Sequence, residues 1–256
     1  MSAARDAVGS YRTQAKFGRE RFATASNLEL DYLRNLKQIV RQINSLVKTF
    51  APDGTLEHPE ELNIALRKYS EMIRPWAIAV AGKMLARVAQ RGESAWFQMG
   101  RDMGRDLRKE LQDAPTGERV RELLDIQVEL ITSIPLDAAQ RIHKLTLEGM
   151  AKGQSTSSIA KEIMRQNEVS ASKAMCIART EVARTASVLI QARAEHVGST
   201  HYIWKTSRDA DVRDSHRKLQ GTVIAFDDPP TTDGLTYHAG QGPNCRCWIS
   251  PILNEE

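Results

Sequence analysis

The sequence predicts an α+β protein that is mostly helical: a helical N-terminal domain followed by a small α+β C-terminal domain with a short sheet. Three observations carry this expectation. Through most of residues 27–150 apolar side chains recur every three or four positions, the spacing that lines one face of a helix. Beyond Gly198 the apolar residues fall instead into short β-branched and aromatic clusters, HYIWKTS, TVIAF and CRCWISP, which read as strands. Nowhere does an apolar run approach the roughly 18–20 residues that a bilayer span needs, so no membrane partner is expected.

The elements follow in order. Residues 1–26 form a basic arm, 27–150 the helical domain and 151–256 the C-terminal domain. From Asn27 to Phe50 a seam of Leu33, Leu36, Val40, Ile43 and Val47 predicts a long helix, with Ser26 and Glu29 at capping-box spacing and the turn residues PDG at 52–54 ending it. Pro59 opens a second helix to about Arg74, and Pro75 a third to Gln90, where the dipeptide RG at 91–92 is expected to interrupt before a fourth helix over 94–111. A further helix runs from about Glu118 past Ile131, and Pro135 is expected to start another that reaches Met150. Ser155 or Thr156 caps a short helix, and a long one spans 170–197 until Gly198 stops it. The Met and Trp residues at helical spacing read as core, as does Cys176. DVRDSHRKLQG predicts a short helix between strands, and the Pro- and Gly-rich stretch 227–243 predicts irregular loop.

Composition narrows the class of function. The chain of 256 residues has room for two ordinary domains. Its 36 Lys+Arg against 32 Asp+Glu leave only +4, a mild bias and not a nucleic-acid signature, although a plain DNA-binding protein stays a third reading. That charge is concentrated: residues 1–48 hold nine Lys/Arg against four acids, and Arg5, Arg12, Lys16, Arg19 and Arg21 are candidate DNA contacts on the arm. Three cysteines, an odd count, do not make a disulfide framework. The N-terminus lacks the apolar block of a secretion signal, so synthesis in a cytoplasm-like compartment is expected.

The residues able to do chemistry cluster late: ARTE at 178–181, Trp204, DADVRDSH at 209–216, Gly221 and NCRC at 244–247. Asp211, Arg213, Asp214 and His216 are expected on a strand-to-helix turn, an Asp capping the helix and Arg213 or Arg246 pairing with Glu181. Three readings fit the cysteines. Zinc is a possible cofactor, with His216, His238, Cys245 and Cys247 as candidate ligands, although one intervening residue in an extended strand does not make an easy chelate. A nucleophilic cysteine with His216 as base and Asp211 or Asp214 orienting it is the second. The third, which the pattern favours, is internal bracing without a cofactor: buried thiols holding a strand, Arg246 pointing away from both towards an acid. STSS near 155–158 suggests part of an ADP-ribosyltransferase signature, but no Glu-x-Glu follows it.

The ordered set Arg179, Thr180, Glu181, Trp204, Asp211, Arg213, His216, Gly221, Asn244, Cys245, Arg246, Cys247 and Pro251 resembles the phage Mu F-like minor head protein, or phage head morphogenesis, family over about residues 140–256. One departure is local: many relatives read His-Pro directly before NCRC, whereas here AGQGP separates His238 from Asn244. The resemblance implies a minor capsid protein of a tailed bacteriophage, made in the host cytoplasm and built in multiple copies into the virion head interior near the portal. It implies portal, major capsid or scaffold protein as partners, packaged genomic DNA as a further one, and a role in head morphogenesis, packaging or ejection without enzymatic turnover. Some relatives are fused to a toxin domain, for which the five residues after Pro251 are expected to leave no room. The rival is a metal-dependent hydrolase acting on head components or nucleic acid, drafting Asp211, Asp214 and His216.

Overall fold

The structure, a computed structural model, describes residues 23, 26–102, 113–165 and 167–253. The arm with Arg5, Arg12, Lys16, Arg19 and Arg21 lies outside the described residues. The order is α1 (Ser26–Phe50), α2 (Pro59–Met72), α3 (Arg74–Asp102), α4 (Thr116–Ala151), α5 (Thr156–Arg165), α6 (Asn167–His196), β1 (His201–Thr206), α7 (Asp214–Leu219), β2 (Val223–Ala225), β3 (Thr231–Thr232), β4 (Leu235–Thr236) and β5 (Cys247–Pro251). The chain is mostly helical, with its small antiparallel sheets after residue 200. No described helix is long and apolar enough to cross a membrane.

Contacts group the described chain into two compact units, one gathering 29–83 and 124–178, the other 84–123 and 179–253 with the start of α1. Helices α3, α4 and α6 each contribute to both units.

The first unit is all helix. Tyr32, Leu36, Ile39, Ile43, Leu62, Leu66 and Ile131 are buried, as the three-and-four spacing of α1, α2 and α4 dictates. Polar side chains fix the pairing of helices: the Tyr32 hydroxyl donates to Gln127 Oε1 at 2.8 Å, Asn63 Nδ2 to the Ala139 carbonyl at 3.0 Å, and Ser70 Oγ to the Thr132 carbonyl at 2.7 Å. Pro135 does not open a new helix but lies inside α4. A proline there removes one backbone donor; the flanking Thr132 and Ser133 hydroxyls donate to carbonyls one turn back, and Lys173 bonds Ser133 and Asp137 around the same turn. Ser155 caps α5, its Oγ accepting from the Ser158 N–H.

In the second unit the dipeptide RG does not interrupt α3 either. Gly92 stays helical, and a Cβ there would lie 2.7 Å from Arg193 Nη1 on α6, so the glycine makes room for a buried guanidinium that donates to the Ala89 carbonyl. Gly198, at φ +81°, ends the helical run two residues after α6. β1 then pairs antiparallel with both β2 and β5, in the order β2-β1-β5. Trp96, Ile190, Tyr202, Trp204, Phe226 and Ile249 form one buried cluster that includes Cys245 and Cys247. The stretch 227–243 is not wholly irregular: β3 and β4 make a hairpin with Thr231 opposite Thr236 and Asp233-Gly234 at its turn.

Candidate functional site: a buried His-Cys-Cys cluster

Three segments of the second unit bring the chemistry together. Helix α7 carries His216 on its inner side, 2% exposed. Its N-cap is Arg213 without a side-chain cap, so neither Asp takes the expected capping role. Gly221, at φ +82°, turns the chain back after α7, its N–H bonding the Trp204 carbonyl.

The second segment is the turn 240–245 before β5. Gly240 sits at φ +87°, and a Cβ there would lie 3.1 Å from the Cys247 carbonyl oxygen and 3.3 Å from that of Ala183. Three side chains pin this turn: Thr180 Oγ1 accepts from the Asn244 N–H at 2.9 Å, Arg184 donates to the Gln241 carbonyl at 3.2 Å, and Arg213 Nη2 to the Pro243 carbonyl at 2.7 Å. Thr180 of the ARTE stretch therefore ties α6 to NCRC. Because Cys245 lies in this turn and only Cys247 in the strand, the two thiols are not held apart as they would be along an extended strand. They converge, both on His216 Nδ1, at 3.5 Å from Cys245 Sγ and 3.4 Å from Cys247 Sγ. The three donor atoms lie within 4.8 Å of one another and all three residues are buried. The expected obstacle to a chelate is absent.

The β3–β4 hairpin, which sequence reading missed, is the third segment. It places Thr232 and Tyr237 against the far nitrogen of His216: Nε2 is 3.1 Å from the Tyr237 hydroxyl and 3.4 Å from Thr232 Oγ1, which itself donates to Tyr237 at 2.9 Å. Asp233 Oδ2 stands 3.7 Å from the same nitrogen and 3.4 Å from Arg213 Nη1. The signal was present as Asp-Gly between Thr-Thr and Leu-Thr, since a two-residue Asp-Gly turn needs the positive φ seen at Asp233 and Gly234. Trp204 packs edge-on to His216, ring centroids 5.5 Å apart.

The electrostatics divide the thiols. The hydrogen bond with Cys247 brings Cys245 down to about 4, against the opposing effect of burial, and His216 adds to the pull. The same bond, burial and the neighbouring negative charge push Cys247 up. The pair thus carries one easily formed thiolate. Trp204 Nε1–H, fully buried without an oxygen or nitrogen acceptor, pulls the other way on Cys247, favouring its ionised form.

Other expected members lie elsewhere. His238 bonds the Tyr202 hydroxyl at 3.3 Å, burial holds its pKa down, and it is not in the cluster. Glu181 pairs with Arg184 at 3.2 Å, while the ion pair of Arg213 is with Asp233, not Glu181. Arg246 points out between the cysteines to Asp209 at 2.7 Å and Asp211 at 2.9 Å. Asp214 faces solvent beside Arg217. The sets drafted for hydrolysis or a nucleophilic cysteine, with Asp211 or Asp214 beside His216, are therefore not assembled among the described residues. The carboxylate nearest the imidazole is Asp233.

The chain is 28% identical over 241 residues to an uncharacterized protein of Haemophilus influenzae, covering 88% of this chain but 53% of that protein. It is 22% identical to minor head protein GP7 of Bacillus phage SPP1, over 90% of this chain and 82% of the other. A third relative, NAD(+)--arginine ADP-ribosyltransferase EFV of Enterococcus faecalis, is 31% identical over 132 residues, which are 46% of this chain and 26% of that protein. The chain thus spans about half the length of the first relative and about a quarter of the third. No solved structure matches it. Residues 140–250, which include α5, α7, the hairpin and all three members of the buried cluster, match the family described as phage Mu protein F like protein.

Proposed function

We propose that the protein is a minor head protein of a tailed bacteriophage, incorporated during head morphogenesis close to the portal. The observation that carries this reading is the likeness to the minor head protein of phage SPP1, which runs through nine-tenths of this chain and so takes in the helices before residue 140 as well as the family segment. The hydrogen-bonded turn and the buried cluster support a role as a rigid docking piece whose polar residues brace the fold. Portal, major capsid or scaffold protein would be its partners, and the arm with Arg5, Arg12, Lys16, Arg19 and Arg21 would lie along packaged DNA.

The test is incorporation. With the chain tagged in the genome of the phage that encodes it, purified heads should contain it at few copies, and its deletion should lower the yield of infectious, DNA-filled particles. Absence from precursor and mature heads alike would overturn the reading. Removal of residues 1–25 should reduce salt-sensitive DNA binding and DNA retention in heads; unchanged salt dependence would remove DNA from the partners.

A further inference from the structure

We propose that His216, Cys245 and Cys247 bind one zinc ion, through Nδ1 of the imidazole and the two sulfurs, and that this ion fastens helix α7 to β5 and to the turn before it. The inference is independent of the role in the phage head. Two thiolates and one imidazole are donors that zinc accepts, and such a set is too soft for magnesium or calcium. The three donor atoms lie within 4.8 Å of one another, with both sulfurs presented to the same ring nitrogen.

Two further features are those of a metal site. A ligating histidine is ordinarily held through its other ring nitrogen, which fixes tautomer and ring orientation. Here Nε2 meets the Tyr237 hydroxyl, itself bonded to Thr232, with Asp233 just behind. The buried Trp204 indole packs edge-on to the same imidazole, ring centroids 5.5 Å apart, and so helps to fix its orientation. Zinc takes four ligands, so three protein donors leave one position to a small exogenous ligand such as water. Binding releases the thiol protons still present, leaving both sulfurs as thiolates and Nδ1 unprotonated.

The full-length chain, purified under reducing conditions without chelator, should hold about one zinc per chain by elemental analysis. Replacing zinc with cobalt(II) should give sulfur-to-cobalt charge-transfer absorption together with the visible bands of a tetrahedral site. Stripping the wild-type protein with a chelator should lower its melting temperature, and zinc, but not magnesium, should restore it. Cys247→Ser and His216→Gln should abolish stoichiometric zinc. Because either variant could unfold, Tyr237→Phe provides a milder probe: it keeps all three ligands and should weaken zinc binding roughly 10-fold or more in competition with a chromophoric chelator. No zinc after purification and no stabilisation on adding it would overturn the proposal. So would a cobalt spectrum without thiolate charge transfer, or copper retained in preference to zinc.

Discussion

Gly240 shows how much a single missing atom can decide. Its φ of +87° is a region that L side chains rarely adopt, and backbone oxygens of Cys247 and Ala183 stand where a Cβ would go. Gly240→Ala should therefore cost at least about 2 kcal/mol in urea denaturation, since neither oxygen belongs to a side chain that could swing away. Arg246 makes a weaker contribution at the surface. Burial alone would raise the Asp209 carboxyl, but hydrogen bonds from Arg246 and Ser207 and the charge of Arg246 bring it below its ordinary value. A carboxylate depressed on folding stabilises the protein above its unfolded pKa of about 4, and that contribution is lost as pH falls through the folded value. Arg246→Gln should thus cost less than about 1 kcal/mol at neutral pH and make no difference in strong acid, which a series of melts between the two conditions would read.

At the scale of elements, periodicity made the helices legible and local punctuation misled. Gly92 and Pro135 both look like breaks along the chain. One is instead a seat for Arg193, the other a proline tolerated within α4, where hydroxyls and Lys173 hold the surrounding turn. Neither reason is visible without the partner helix. The hairpin was legible in principle through Asp-Gly, but the prolines before it and the glycines after it hid the signal. The convergence of Cys245 and Cys247 was not legible, because it depends on where the turn stops and β5 starts. Gly234, at φ +77°, is the position to test: Gly234→Val should loosen the hairpin by about 1–2 kcal/mol and, through Thr232 and Tyr237, free the His216 ring, detectable as faster exchange of its Nε2 proton in NMR. Ser70→Ala in the helical unit should cost about 1 kcal/mol in thermal melts, the worth of one buried hydrogen bond to the Thr132 carbonyl.

For the whole molecule, the family segment begins near residue 140, yet the core around the cysteines does not. Ala95 and Trp96 of α3 belong to the same buried cluster as Tyr202, Trp204, Cys245 and Cys247. A fragment cut at residue 151 loses that indole and should expose apolar surface, so tests of the site belong in the intact chain. This placement also sets an order of events during synthesis. Trp96 leaves the ribosome about 150 residues ahead of Cys247 and Ile249, members of the same core, and at roughly 5–20 residues per second it waits many seconds for them. Of the described strands β5 is translated last and it belongs to this core, so a ribosome that stalls shortly before residue 245 would release a product with an open interior, ready prey for chaperones and proteases.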